Sequence, residues 1–167
     1  MTAALAILVA RFYGVDMGTV RASLEPAIRR ATTADAADIA RLSQQLGYPT
    51  TPEQSARRLL EVNRNPEHAV FVAADGEAVI GWVHALIGHS LVADTTAEVA
   101  GLVVDEAYRG QRVGRVLLQQ VERWAQEQSC IAVRLRSNVV LSRAHAFYQN
   151  LGYELTKTSK NFYKRLA

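Results

Sequence analysis

The stretch Ala97–Trp124 constrains this chain more than any other, because a strand, a basic glycine-bearing loop and a helix follow one another in it without a break. Val99, Leu102, Val103 and Val104 form a short apolar run of β-formers that Asp105 stops. Val113, Val116, Leu117, Val121 and Trp124 then recur at three-and-four spacing, with Arg115, Gln119, Gln120, Glu122 and Arg123 on the other side, which predicts an amphipathic helix opening at Gly114. Between the two lies Arg109-Gly-Gln-Arg-Val-Gly114. A strand that feeds such a loop into a helix directs free backbone N–H groups and the positive end of the helix dipole at one point, so the chain is expected to hold a phosphate there.

Missing residues narrow the phosphate ligand. A P-loop needs Lys and then Ser or Thr after its last glycine, whereas Arg115 and Val116 follow Gly114. A dinucleotide fingerprint needs Gly-x-Gly-x-x-Gly, which the spacing of Gly110 and Gly114 does not supply. Lys+Arg 19 against Asp+Glu 16 leaves a net charge of +3, too mild to predict nucleic acid as a partner. The cluster of Arg109, Arg112 and Arg115 is explained locally by a polyanionic cofactor or by a solvated basic face. Cys130 is the single cysteine, which rules out an internal disulfide and fits a reducing, cytoplasmic setting. The apolar run Ala3–Ala10 has no basic residue before it and is too short to span a bilayer, so no membrane partner is expected.

The chain is long enough, at 167 residues with 49% hydrophobic, to bury the core of one domain. Residues 1–25 read as an N-terminal extension of unknown role and 26–167 as the domain. A short strand at Ala27–Ala31 precedes a helix opened by Thr32-Thr-Ala-Asp35, apolar at Ile39, Leu42 and Leu46 and ended by Gly47. Thr51 caps a second helix with Pro52 at its first position, running to Asn65-Pro66. Two strands, Ala69–Ala74 and Val79–Ile87, flank the hairpin signal Asp75-Gly76. After the organising stretch come a fifth strand at Ile131–Arg136, a helix carrying Ala144, Phe147, Tyr148 and Leu151, and a tail with room for two more strands. The order β-α-α-β-β-β-α-β-α-β-β predicts an α/β domain around a mixed sheet of about seven strands.

Arg109 and Gly114 match the ends of the Arg/Gln-x-x-Gly-x-Gly/Ala signature that binds acyl-coenzyme A in the GNAT acetyltransferase superfamily, with Arg112 in place of the middle glycine. A second stretch, Asn138 followed by Ala144-His-Ala-Phe-Tyr148 and Leu151-Gly-Tyr153, resembles the way many bacterial members end. The resemblance covers Ala27 to the C terminus and is nearest to acetyltransferases of small amines, such as the aminoalkylphosphonate enzymes. It implies a mostly antiparallel sheet flanked by helices, with strands four and five splayed around the pantetheine arm of acetyl-coenzyme A, the acyl donor. It places that arm on Leu102, Val103 and Val104, the pyrophosphate on Gly110, Gln111, Arg112, Val113, Gly114 and Arg115 beside Arg109, and a further cofactor contact on Asn138. A non-glycine at Arg112 still donates its N–H if its backbone stays in the helical region.

An alkylammonium has a reference pKa of about 10.4, so amine acetylation near neutral pH needs a base or water relay, and the departing thiolate needs an acid. By resemblance Glu98 stands where some members carry the base and Tyr148 where they carry the acid. Glu98 as an edge-strand carboxylate and Tyr148 as core packing are the alternatives. His84 and His89 fall near the expected acceptor pocket, which Tyr48 in the Gly47–Pro49 connection is expected to wall. His68 reads as a loop residue, Trp82 and Trp124 as core, and no spacing suggests a metal. The expected activity is direct acetyl transfer to a primary amine of a small molecule by a monomer or homodimer. Acetylation of a protein N terminus or lysine, and a non-catalytic acyl-coenzyme A binding module, are the other readings.

Overall fold

A computed structural model describes residues 25–166; the expected N-terminal extension lies, but for Glu25, outside the described residues. The elements run β1 (Ala27–Arg30), α1 (Ala36–Gln45), α2 (Pro52–Asn63), β2 (His68–Asp75), β3 (Ala78–Gly88), β4 (Thr96–Val104), α3 (Val113–Glu127), β5 (Val133–Leu135) and α4 (Ser142–Gln149), with 3₁₀ turns at Thr33–Asp35 and Glu106–Tyr108. Local chemistry sets the boundaries. The Asp35 carboxylate accepts the Thr32 N–H at 2.8 Å and pairs with Arg29, which holds it below the usual carboxylate range. Thr51 and Gln54 form a capping box around Pro52. Gly76, at φ 60°, makes the tight turn between β2 and β3.

The strands lie in chain order, β1-β2-β3-β4-β5, antiparallel except for the parallel pair β4–β5. Alternation along the strands produces two apolar layers. On one face Phe71, Val83, Ala85, Ala97 and Val99 pack with Leu117, Leu118, Val121 and Trp124 of α3. On the other, Val70, Val72 and Val103 pack with Leu42 of α1 and Leu59 of α2. A bulge in β4 adjusts this alternation: His84 pairs with Gly101 and Ala85 with Val99, so Ala100 is the extra residue. The bulge keeps Val99, Leu102 and Val104 on the α3 face while returning Glu98 and Gly101 to the opposite one.

The sheet has five strands among the described residues, which corrects the expectation of about seven. Residues 153–166 form no strand, and Leu155, Phe162 and Tyr163 are exposed. The segment Thr156-Lys-Thr-Ser-Lys-Asn161 has no apolar face to bury, and a strand without a buried face gains too little from its ladder to offset its ordering cost. The fifth strand is also shorter than its alternating pattern predicts, Val133–Leu135 instead of Ile131–Arg136.

Candidate active site

The loop before α3 is shaped to receive an anion. Gly110 has φ 79° and Arg112, the N-cap, has φ 66° and ψ 0°. Arg112 is therefore in the left-handed region and not in the helical one expected for it, a conformation that costs a non-glycine residue about 1 kcal/mol. The turn it makes lets Val113, Gly114 and Arg115 start the helix with N–H groups that have no intrahelical partner. No acidic residue lies in that first turn, and Arg112 and Arg115 are exposed. Arg109 donates from Nε to the Val104 carbonyl at 3.3 Å, and Gln111 donates to the Ala107 carbonyl at 3.0 Å, so both brace the loop. Donors, positive charge and the helix dipole converge here, which fits a pyrophosphate. Gly114 also serves packing, because a Cβ there would stand 3.1 Å from Phe147 Cζ, so its bareness lets α4 rest on the start of α3.

Beside this loop the sheet opens. β5 pairs with β4 only at Ala97, Glu98 and Val99, and β4 continues to Val104 without a strand partner on that side among the described residues. Its backbone there has polar groups to spare for an extended, amide-rich ligand. Leu102 and Val104 turn toward the α3 layer and Val103 toward the α1–α2 layer. Asn138, past β5, accepts the Val140 N–H on its side chain and the Leu141 N–H on its carbonyl, so it shapes the loop into α4.

On the α1–α2 face, register aligns His68, Leu86, Glu98 and Arg134 across β2, β3, β4 and β5, with His84 one row along. The Glu98 side chain is only 13% exposed, and both its oxygens are engaged, Oε2 by Arg134 at 3.0 Å and Oε1 by Arg136 at 2.5 Å. His68 opens β2 instead of lying in a loop, and its Nδ1 stands 3.0 Å from His84 Nε2 with the rings stacked. Burial first, and the neighbouring His68 second, push the pKa of His84 down to about 4, so it is neutral at pH 7. Trp82 covers Gly101 and packs on the α1–α2 core, yet its indole N–H is buried without a partner among the described residues. His89 lies outside this row, exposed and paired with Glu67 at 2.9 Å. Tyr48 is 73% exposed in the α1–α2 connection.

Tyr148 is on the other side of the sheet. It packs with Phe147, Leu102, Val104 and Leu135 against the α3 layer, its ring 6.1 Å from that of Tyr153. Burial raises its pKa, so the phenol keeps its proton at neutral pH. The structure thus places Glu98 on the α1–α2 face and Tyr148 on the α3 face, where Phe147, its neighbour, rests on Gly114 at the start of α3. His89 and Tyr48 both lie outside the strand row that holds His68, Glu98 and Arg134. Sequence reasoning does not single out Arg134, Arg136 or His68 as site residues. The signal for the arginines is the strand alternation that puts both on one side; for His68 there is none, because its partner is sixteen positions away.

Residues 34–153 match the Acetyltransferase (GNAT) family. A curated relative, the aminoglycoside N(6')-acetyltransferase type 1 of Stenotrophomonas maltophilia, is 34% identical over 138 residues, covering 79% of this chain and 88% of that protein. Among solved structures, an aminoglycoside N-acetyltransferase in complex with coenzyme A aligns with a TM-score of 0.78 at 21% identity, over 89% of this chain and 100% of that one. A putative acetyltransferase from Agrobacterium tumefaciens aligns with a TM-score of 0.75 at 24% identity, over 83% and 99%.

Proposed function

The chain belongs to the GNAT acetyltransferase family and is an acetyl-coenzyme A dependent N-acetyltransferase; from that premise we propose that it transfers the acetyl group directly to the primary amine of a small molecule within a ternary complex. The observation that carries this reading is the parting of β4 from β5 after Val99, with Glu98 on one face of the sheet and Tyr148 on the other. Two groups on opposite faces of an opened sheet suit a reaction in which a proton leaves the nucleophile and another reaches the leaving group. The relative named for aminoglycosides supports a small-molecule acceptor.

Acetyl-coenzyme A, when bound, supplies the acetyl group and the thiolate that departs. The N–H groups of Val113, Gly114 and Arg115, with the charges of Arg112 and Arg115, would hold its pyrophosphate, and the unpaired edge Leu102–Val104 would hold its pantetheine amides. Glu98, directly or through water, takes the ammonium proton once an arginine has moved from its carboxylate. The Tyr148 phenol, kept protonated by burial, gives its proton to the departing sulfur. Neutral His84, with His68 stacked on it, lines the acceptor side next to Glu98, where it orients the amine without adding charge.

The test is free-thiol release with a panel of primary amines that includes an aminoglycoside, followed by initial rates with both substrates varied. Intersecting double-reciprocal lines are expected. Parallel lines would mean an acetyl-enzyme, and no thiol release from any amine in a protein that binds acetyl-coenzyme A would leave a binding module.

A further inference from the structure

The three charges at the end of β4 do not balance. Glu98 is nearly buried, whereas Arg134 and Arg136 are 59% and 73% exposed and both contact it, so one carboxylate stands against two guanidinium groups. Rows on this face add no carboxylate, with His68 and Leu86 in one and Val70, His84 and Gly101 in the next. The nearest carboxylate in the chain beyond them, Glu67, is exposed and occupied by His89. Gly88 keeps the end of β3 bare where Arg134 passes, since a Cβ there would lie 3.2 Å from its Nη2. The arrangement is therefore built to bring arginine to Glu98 and leaves a surplus of one positive charge.

We propose that the acceptor is a zwitterion, a primary amine that also carries a carboxylate or a phosphate-type anion, with the ammonium directed to Glu98 and the anion to Arg134 and Arg136. The inference rests on the reading of this face as the acceptor side of an N-acetyltransferase. An ammonium approaching Glu98 alone must displace a guanidinium from a carboxylate and join an already positive cluster, which is unfavourable at contact distance in a half-buried place. If the same molecule brings an anion, the displaced guanidinium gains a partner of matching fork geometry and the charges balance. A polycation brings more of the charge already in excess. Acceptor choice then depends on repulsion as much as attraction.

The experiment compares β-alanine, aminopropylphosphonate, propylamine, diaminopropane and an aminoglycoside as acceptors, by thiol release, in the full chain and in the double variant Arg134→Gln/Arg136→Gln. Calorimetry of the same amines with the protein loaded with coenzyme A gives a readout independent of turnover. In the full chain kcat/KM for the anion-bearing amines should exceed that for propylamine by about tenfold or more, the size of one screened charge contact. β-Alanine and aminopropylphosphonate separate a carboxylate from a phosphonate source of the anion. The double variant turns the cluster from net positive to net negative, so it should lose about tenfold on the zwitterions while gaining on diaminopropane. Opposite signs for the two classes are what a merely structural role for the arginines would not produce. Arg136→Lys, which keeps the charge, should keep the preference. A full chain that prefers diaminopropane or the aminoglycoside would overturn the zwitterion while leaving amine acetylation in place, as would equal losses on all amines in the folded double variant. Acetyl-coenzyme A binding with no thiol release from any amine would overturn both readings.

Discussion

The two sides of the β4–β5 opening are built differently. On the proposed donor side α3 sinks Val113, Leu117, Leu118, Val121, Trp124 and Ala125 into the core and leaves Arg115 and Arg123 exposed on its outer face. On the other face of the sheet the groups that matter, Glu98, His68 and His84, are polar and partly covered, and β5 at its edge is half-buried. The donor side owes its shape to apolar burial, which is non-directional and tolerant. The acceptor side owes its shape to ion pairs and ring contacts that depend on single partners. Stability should accordingly be concentrated in the first and chemistry in the second.

The largest expected effect separates chemistry from stability. Tyr148→Phe keeps the ring and its packing, so acetyl-coenzyme A affinity and melting temperature should stay near wild type while kcat falls by about 10²- to 10⁴-fold. Glu98→Gln should lose rate too, but recover in part as pH rises and more amine is already neutral, whereas Tyr148→Phe should not. pH–rate profiles of both variants check this, and an unimpaired Tyr148→Phe would return that residue to packing alone.

Next comes stability on each side of the opening. Leu117→Ala, at a fully buried position of α3, should cost about 2–5 kcal/mol in denaturant unfolding. Leu86→Ala, at a partly buried position of β3 in the Glu98 row, should cost clearly less, about 1 kcal/mol. Equal costs would break the comparison.

A smaller effect should appear with acid. The folded pKa of His84, about 4, lies below the ordinary histidine value of 6.5, so between those values the unfolded chain binds more protons than the folded one. Stability contributed by neutral His84 is thus complete above pH 6.5 and lost as pH falls toward 4. Unfolding midpoints at several pH values should show a shallower decline in His84→Asn, and an unchanged decline would shift the effect to other groups.

The smallest expected change belongs to the loop. Arg112→Gly removes a left-handed non-glycine residue and should stabilise the fold by about 1 kcal/mol or less. It also removes a charge facing the cofactor phosphates, so acetyl-coenzyme A affinity should fall by a similar amount with a flatter salt dependence. Calorimetry at two ionic strengths measures it, and an equal slope would mean that Arg112 points away.

Much of the donor side was legible because its information is local. Helical spacing from Val113 to Trp124 marks the buried face of α3, and Gly110 and Gly114 mark the turn and the close contact. Thr51-Pro52 and Asp75-Gly76 likewise name their own structures. Arg112 escaped this reading, since its left-handed φ follows from how the loop must enter the helix and not from the residue itself.

The acceptor side was legible only in part. Glu98 stood out by resemblance, but the sequence does not contain the bulge at Ala100 that sets which face Glu98 takes. Neither does it contain the two arginines' hold on Glu98 from beyond its own strand, nor the meeting of His68 with His84.

By itself the sequence determined the α/β class, the order of the elements through α4, the glycine-bearing loop that opens α3 and the family, because each is written in spacings of a few residues that act through local propensity and burial. Tertiary structure alone decided that the sheet has five strands among the described residues, that β5 leaves β4 after Val99, and that Glu98 is shared by Arg134 and Arg136. These depend on strand register and on charges distant in the chain, and a register is chosen by the whole packed sheet, since a slip of one residue would turn every side chain to the opposite face.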